Sequence, residues 1–145
     1  MSKDISTRSI AAGLGTDPTA GRVSVYTEAE LGYLSERRLA RIATVGADGT
    51  PHVVPVGWSY NPELDTIDIG GHDFASTKKY RDVARNGRAA IVIDDVLPPF
   101  RPRGIEVRGL AEAVGGAQPM IRIRARRVVS WGLSDGGRNA RDTGQ

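Results

Sequence analysis

From Leu39 onward the chain has the periodicity of short strands cut apart by turns, and this pattern limits the fold more than any other feature. LARIATV is followed by GADGTP, whose Asp48-Gly49 supplies the positive-φ positions of a tight hairpin, and then by HVVPVGWSY. A second turn, NPELD, leads into TIDIGG, where Ile67 and Ile69 alternate with Asp68. AAIVID is a short β-branched run and GIEVRGLAEAV alternates cleanly. MIRIRARRVVSWGL starts the same way and loses register near Ala125 to Arg127. Pro55 removes a ladder donor from the second run, so that stretch is expected at an edge, bulged, or facing a ligand. DVLPPFRPR reads as a Pro-rich loop without helix or ladder potential, facing solvent or a ligand.

Only two segments have helical spacing. Thr27 with Glu30 three residues later forms a capping box that opens a helix from Glu28 to Arg37, with Leu31 and Leu34 as its apolar stripe and Gly32 weakening it. Ser76 to Asn86 has Ser76 or Thr77 as N-cap, Tyr80, Val83 and Ala84 at helical spacing, and Gly87 as its stop. Residues 1–22 mix Ser, Thr, Gly and Asp without a sustained period and read as a flexible extension; 23–133 hold the body, and 134–145 read as a polar tail. Six strands joined by hairpins, with two helices, predict a mainly β (α+β) fold built on a six-stranded antiparallel barrel, not alternating βαβ units. A small barrel is filled by its own side chains, so a large cofactor would sit outside it or between two copies.

A length of 145 residues suits one domain. The absence of cysteine excludes disulfides, thiolate metal sites and thiol nucleophiles, and two histidines, His52 and His72, leave little for a metal centre. No window approaches about 18 consecutive apolar residues, so no membrane partner is expected. The first 25 positions lack the apolar core of a secretory signal, which makes the cytoplasm the expected compartment. Charge is unevenly spread. Residues 1–75 carry 6 Lys+Arg against 10 Asp+Glu, whereas residues 76–145 carry 14 against 7, so the second half favours an anion or presents a solvated basic face.

The sharpest chemical signal is IDIGGHDFASTKKYRDV. A strand ends at Gly70-Gly71, crosses a short loop and enters a helix whose first turn presents Ser76, Thr77, Lys78 and Lys79. Free amides and the positive end of the helix dipole attract an anion there, hydroxyls add hydrogen bonds, and lysine adds a point charge, which together suit a phosphate. Two cations at a helix N-terminus oppose the dipole and cost stability without an anion. Other signals are weaker. His52 starts a strand after a turn proline and reads as a pairing residue more readily than a base. His72 flanks the phosphate loop, Asp94-Asp95 read as turn formers, and Trp58 and Trp131 suit either the core or a ring stack. The arginines of IRIRARR alternate with isoleucine as on a strand with one wet face, and no nucleic acid is required.

Taken in order, LARIATVGADGTPHVVPVGWSY, TIDIGG, STKKYRDVARNGRAAIVID, GIEVRGLAEAV and VVSWGL resemble the pyridoxamine 5'-phosphate oxidase-like split-barrel superfamily, in particular its small deazaflavin (coenzyme F-420)-dependent oxidoreductase branch. The resemblance runs from about Tyr26 to Leu133. It implies a split barrel that works as a homodimer with two interfacial cofactor sites. The ring would be flanked by His52, Val54, Pro55, Val56 and Gly57, the phosphate held by Ser76, Thr77, Lys78 and Lys79 beside Gly70, and Trp131 contributed across the interface. It also implies that the cofactor, F-420 or alternatively FMN, carries a hydride to a small organic acceptor, so no catalytic side chain is expected. A non-catalytic module binding such a cofactor or a tetrapyrrole is the other reading the resemblance leaves open. Two departures stand out. SDGGRNARDTGQ lacks the substrate segment of true pyridoxamine phosphate oxidases, and Lys78 stands where many flavin-binding relatives have arginine. The acidic tail of F-420 would need a second basic surface, for which Arg81, Arg85, Arg101 and Arg103 are the candidates.

Overall fold

In the computed structural model, residues 23–36 and 39–144 are described. The expected extension at 1–22 and the expected helix end at Arg37 lie outside them. Helix α1 (Glu28–Leu34) is followed by β1 (Leu39–Val45), β2 (Pro51–Asn61) and β3 (Thr66–Gly70). A 3₁₀ turn (Phe74–Ser76) leads into α2 (Lys78–Asn86), and β4 (Arg88–Leu97), β5 (Arg101–Val114), β6 (Met120–Trp131) and β7 (Arg138–Asp142) complete the chain.

All pairings are antiparallel, in the order β3-β2-β1-β4-β5-β6-β7, and β3 also pairs with β6. That last pairing closes a six-stranded barrel, as the run of hairpins predicts. Closure uses only the first part of β6: Met120–Ile123 pair with β3, whereas Arg127–Trp131 pair with β7. The barrel is therefore split along β6, and β7 lies on the flap beyond the seam.

Directly paired residues share a face. The inward set is almost entirely β-branched: Ile42, Ile67, Ile69, Ile91, Ile93, Ile105, Val107, Ile121, Ile123 and Val128 are each at most 1% exposed. Each such side chain gives about 1.5–3 kcal/mol on burial, and together they leave the lumen no room for a ligand. The loss of register foreseen near Ala125 is a β-bulge: Arg108 pairs with Arg127 and Gly109 with Ala125, which leaves Arg126 as the extra residue. Gly109 permits the close approach, since a Cβ there would lie 2.1 Å from the Arg124 carbonyl oxygen.

Four expectations need correction. Helix α1 ends at Leu34 with Ser35 as its C-cap, where the Glu36 amide turns to the Tyr33 carbonyl, an i→i−3 bond, and Ser35 Oγ donates to the Gly32 carbonyl. The hairpin after β1 is not a two-residue turn: Gly46–Thr50 form the loop, Gly49 alone takes positive φ (88°), and the Asp48 carboxylate accepts the Thr50 amide instead. DVLPPFRPR is not a free loop, since β4 and β5 stay paired out to Leu97 opposite Arg101, leaving only residues 98–100 as a turn. The tail after Leu133 contains β7, held by backbone pairing and by charge where apolar alternation is absent.

Candidate functional site

The N-terminus of α2 is built by the segment the sequence singled out. Thr77, not Ser76, is the N-cap, and its hydroxyl accepts the Tyr80 amide at 3.4 Å. Ser76 belongs to the preceding 3₁₀ turn, and its hydroxyl donates to the Asp73 carbonyl and carboxylate. The amides of Lys78 and Lys79 have no acceptor among the described residues, as the first turn of a helix requires. Neither lysine stands alone, however. Lys78 Nζ lies 3.8 Å from Asp82, and Lys79 Nζ lies 5.2 Å from the centre of the Phe74 ring. The cost of two cations at a helix start is thus partly offset within the chain itself.

Asp82 is the residue that sequence reasoning missed. The expected stripe of Tyr80, Val83 and Ala84 is shifted, with Ala84 exposed and Asp82 buried beside Val83. The carboxylate side chain is only 1% exposed. It accepts from Thr44 Oγ1 at 2.9 Å and from Arg85 at 2.7 Å, and it meets His52 Nδ1 at 3.0 Å. Burial pushes this carboxyl up, but the hydrogen bonds of Thr44, His52 and Arg85, with Lys78 nearby, outweigh it and hold the group below the usual carboxylate range. One buried charge therefore ties β1, β2 and the first turn of α2 into a single unit. The only sequence signal was an Asp placed i+4 from Lys78 and i−3 from Arg85.

His52, Val54 and Val56 pair with Thr44, Ile42 and Ala40, so they share the inward face of β2, buried at Val56 and meeting Asp82 of α2 at its His52 end. Pro55 and Gly57 are exposed on the opposite face. Across Pro51–Asn61, β2 pairs with β1 only up to Gly57 and with β3 only from Trp58, so the Pro55 region is a free edge, one of the three alternatives its proline left open. Gly70 ends β3 and lines an open cavity of about 740 Å³ together with Gly71, His72, Phe74, Ser59 and Met120. Trp131 does not join this group. It lies at the far end of β6 from the seam, paired with Gly104 and Arg138, and a Cβ on Gly104 would lie 2.7 Å from its ring. The structure thus brings His52 and Lys78 together at Asp82, keeps Thr77 as the N-cap and Lys79 over the Phe74 ring of the same helix start, places Gly70 in the cavity lining beside Phe74, and leaves Trp131 at the far end of β6.

The donors at the α2 start, namely two free amides, two ammonium groups and an imidazole, are of the kind that holds a phosphate. Of the basic residues expected to take an acidic tail, Arg85 is already bonded to Asp82, Arg103 to both carboxylate oxygens of Asp95, and Arg101 Nε reaches the Pro98 carbonyl.

Over 119 residues the chain is 42% identical to a 5a,11a-dehydrotetracycline/5a,11a-dehydrooxytetracycline reductase of Streptomyces rimosus, covering 74% of this chain and 84% of that one. Over 64 residues it is 52% identical to an F-420H(2)-dependent biliverdin reductase of Mycobacterium tuberculosis, covering 42% and 43% of the two. Among solved structures, a heme binding protein of Mycobacterium smegmatis superposes with a TM-score of 0.63 at 16% identity. That match takes in 84% of this chain but only 59% of the other, and it speaks for the fold alone. Residues 21–143 match the family described as pyridoxamine 5'-phosphate oxidase, and with a match of that extent the chain belongs to this family.

Proposed function

We propose that this protein is an oxidoreductase that passes a hydride from reduced coenzyme F-420 to a small organic acceptor, with the cofactor held at the interface of a homodimer. The observation that carries the reading is the α2 start, where the amides of Lys78 and Lys79 are unbonded among the described residues and where Lys78 and His52 both reach Asp82. Such a cluster fits a phosphate, and the filled lumen directs the rest of a large cofactor to the free edge of β2. When bound, the cofactor supplies the hydride. Thr77, Lys78 and Lys79 would hold its phosphate, Val54 and the free edge at Pro55 would flank its ring, and the Gly70 loop leaves a neighbouring cavity for the acceptor. Similarity to two reductases, one of them F-420H(2)-dependent, supports this reading.

A second copy is part of the proposal. Leu39 is 59% exposed and Val53 71%, both on the outward face of the β1–β2 pair, and Phe100 in the β4–β5 turn is 74% exposed, apolar surface that a partner would cover. Trp131 lies at the other end of β6 from the residues that pair with β3, which favours its contribution from a second copy. The test is an anaerobic fluorescence titration with F-420 and with FMN, followed by turnover with reduced cofactor. We expect F-420 to bind more tightly, one per chain. Tighter FMN binding would transfer the assignment to the flavin, and saturable binding without turnover against any acceptor would make the protein a carrier.

A further inference from the structure

We infer that the outer wall of the barrel holds a second ligand site, specific for a small carboxylate with an apolar body, in the groove between Arg88, Arg108 and Arg126. The groove has a volume of about 420 Å³, within the range of small-molecule sites, and its floor includes Val45, Ala90 and Leu110. Its position follows from the strand register. Arg88 pairs with Leu110 and Ala90 with Arg108, and Ala90 pairs in turn with Ala43, so these side chains share the outward face. Arg126 joins them because it is the extra residue of the bulge, which also keeps Arg127 on the outside opposite Arg108.

What marks the groove is unmatched charge over an apolar floor. Five arginines elsewhere in the sheet meet carboxylates, Arg41 with Asp94, Arg103 with Asp95, Arg122 with Asp68, Arg127 with Asp142, and Arg141 with Glu30, while Arg101 and Arg124 reach only backbone carbonyls, singly and on different strands. Here Arg108 shares Glu106, while Arg88 and Arg126 meet no carboxylate among the described residues. Three guanidinium groups with one carboxylate among them repel one another until an anion enters. Guanidinium binds carboxylate in bidentate fashion, and Leu110, 51% exposed, offers an aliphatic body its contact. The groove lies on the other side of the β1–β2 hairpin from His52, which faces Asp82 and α2, so it is separate from the cofactor site. It is also at the Val45–Pro51 end of that hairpin, away from Leu39, and borders Val53, which pairs with its lining residue Ala43.

Octanoate is the probe, titrated by calorimetry against the full-length protein, with octan-1-ol as the uncharged control. The expected result is one octanoate per chain, no comparable binding of the alcohol, and affinity lowered about tenfold or more in each of Arg88→Gln and Arg126→Gln. Arg81→Gln, on the exposed face of α2, should bind octanoate as the parent does. F-420 and FMN affinities should be the same in the parent and in both groove variants. Equal binding of acid and alcohol, or unchanged octanoate binding in both groove variants, overturns the site. A loss of F-420 affinity in those variants without octanoate binding to the parent would also overturn it, by assigning the arginines to the cofactor. Failure of F-420 to bind at all would leave the octanoate result intact, so this inference and the proposed function fail separately.

Discussion

Asp82 shows how much a single side chain can organise. Its carboxylate is buried, and three elements lean on it through Thr44, His52 and Arg85. Asp82→Asn keeps the shape and an acceptor for Thr44 but turns a donor toward Arg85 and removes the charge that balances Lys78. We expect a loss of about 1–3 kcal/mol in urea unfolding, together with weaker cofactor binding because His52 and Lys78 are no longer positioned. Unchanged stability would mean that the network contributes nothing to the fold. Lys78→Ala and Lys79→Ala should behave differently: both side chains make loose contacts, at 3.8 Å to a carboxylate and 5.2 Å to a ring centre, so the fold should lose little. Cofactor affinity should nevertheless fall by about 1–3 kcal/mol in each variant, and the loss should shrink as salt rises. Parent-like binding in a salt series would place the phosphate elsewhere.

At the scale of elements, α1 and β7 are joined through a buried charge. Glu30 is fully buried and accepts from the Thr27 amide, Ser130 Oγ and two nitrogens of Arg141, so the same residue closes the capping box and anchors the last strand. Burial pushes its carboxyl up, while Arg141, Ser130 and Thr27 outweigh burial and hold it below its ordinary value of 4.5. A depressed native value means that the unfolded chain takes up the proton first. The stabilisation is therefore present above about 4.5 and disappears as pH falls through the lower native value. Thermal melts from pH 7 to pH 3 should show a steep drop for the parent below that point and a shallower one for Glu30→Gln, which starts lower. Parallel curves would show that Glu30 does not govern acid stability.

The scale of the whole molecule is where the family fold and the proposed assembly meet. A barrel filled by isoleucine and valine cannot hold a cofactor inside, and Trp131 is separated from the α2 start within one copy. Light scattering at micromolar concentration should therefore give twice the chain mass of 15.5 kDa. Leu39→Glu or Val53→Glu should shift the particle toward the monomer and weaken cofactor binding at the same time. A monomeric parent that binds cofactor stoichiometrically would remove the interfacial site.

Local chemistry was legible in the residues themselves. The Thr27–Glu30 capping box, the left-handed Gly87 at the end of α2, six strands of period two and the bulge near Ala125 all depend on neighbours within a few positions, which any reader of the chain can see. The helix start after Gly70-Gly71, with Thr77 as one of its two candidate caps, was legible for the same reason. Strand β7 was not, because RNARD has no apolar alternation and pairs through its backbone and through Arg127–Asp142 and Arg141–Glu30, partners far off in sequence. The continued pairing of β4 and β5 through their prolines was hidden likewise, since it is imposed by register set farther along the hairpin. Tertiary structure alone decided that Asp82 turns inward to meet Thr44 and His52, and that Arg88, Arg108 and Arg126 share one groove. Both depend on how α2 packs against β1 and β2 and on the register between neighbouring strands, and no local period records which residues those will bring side by side.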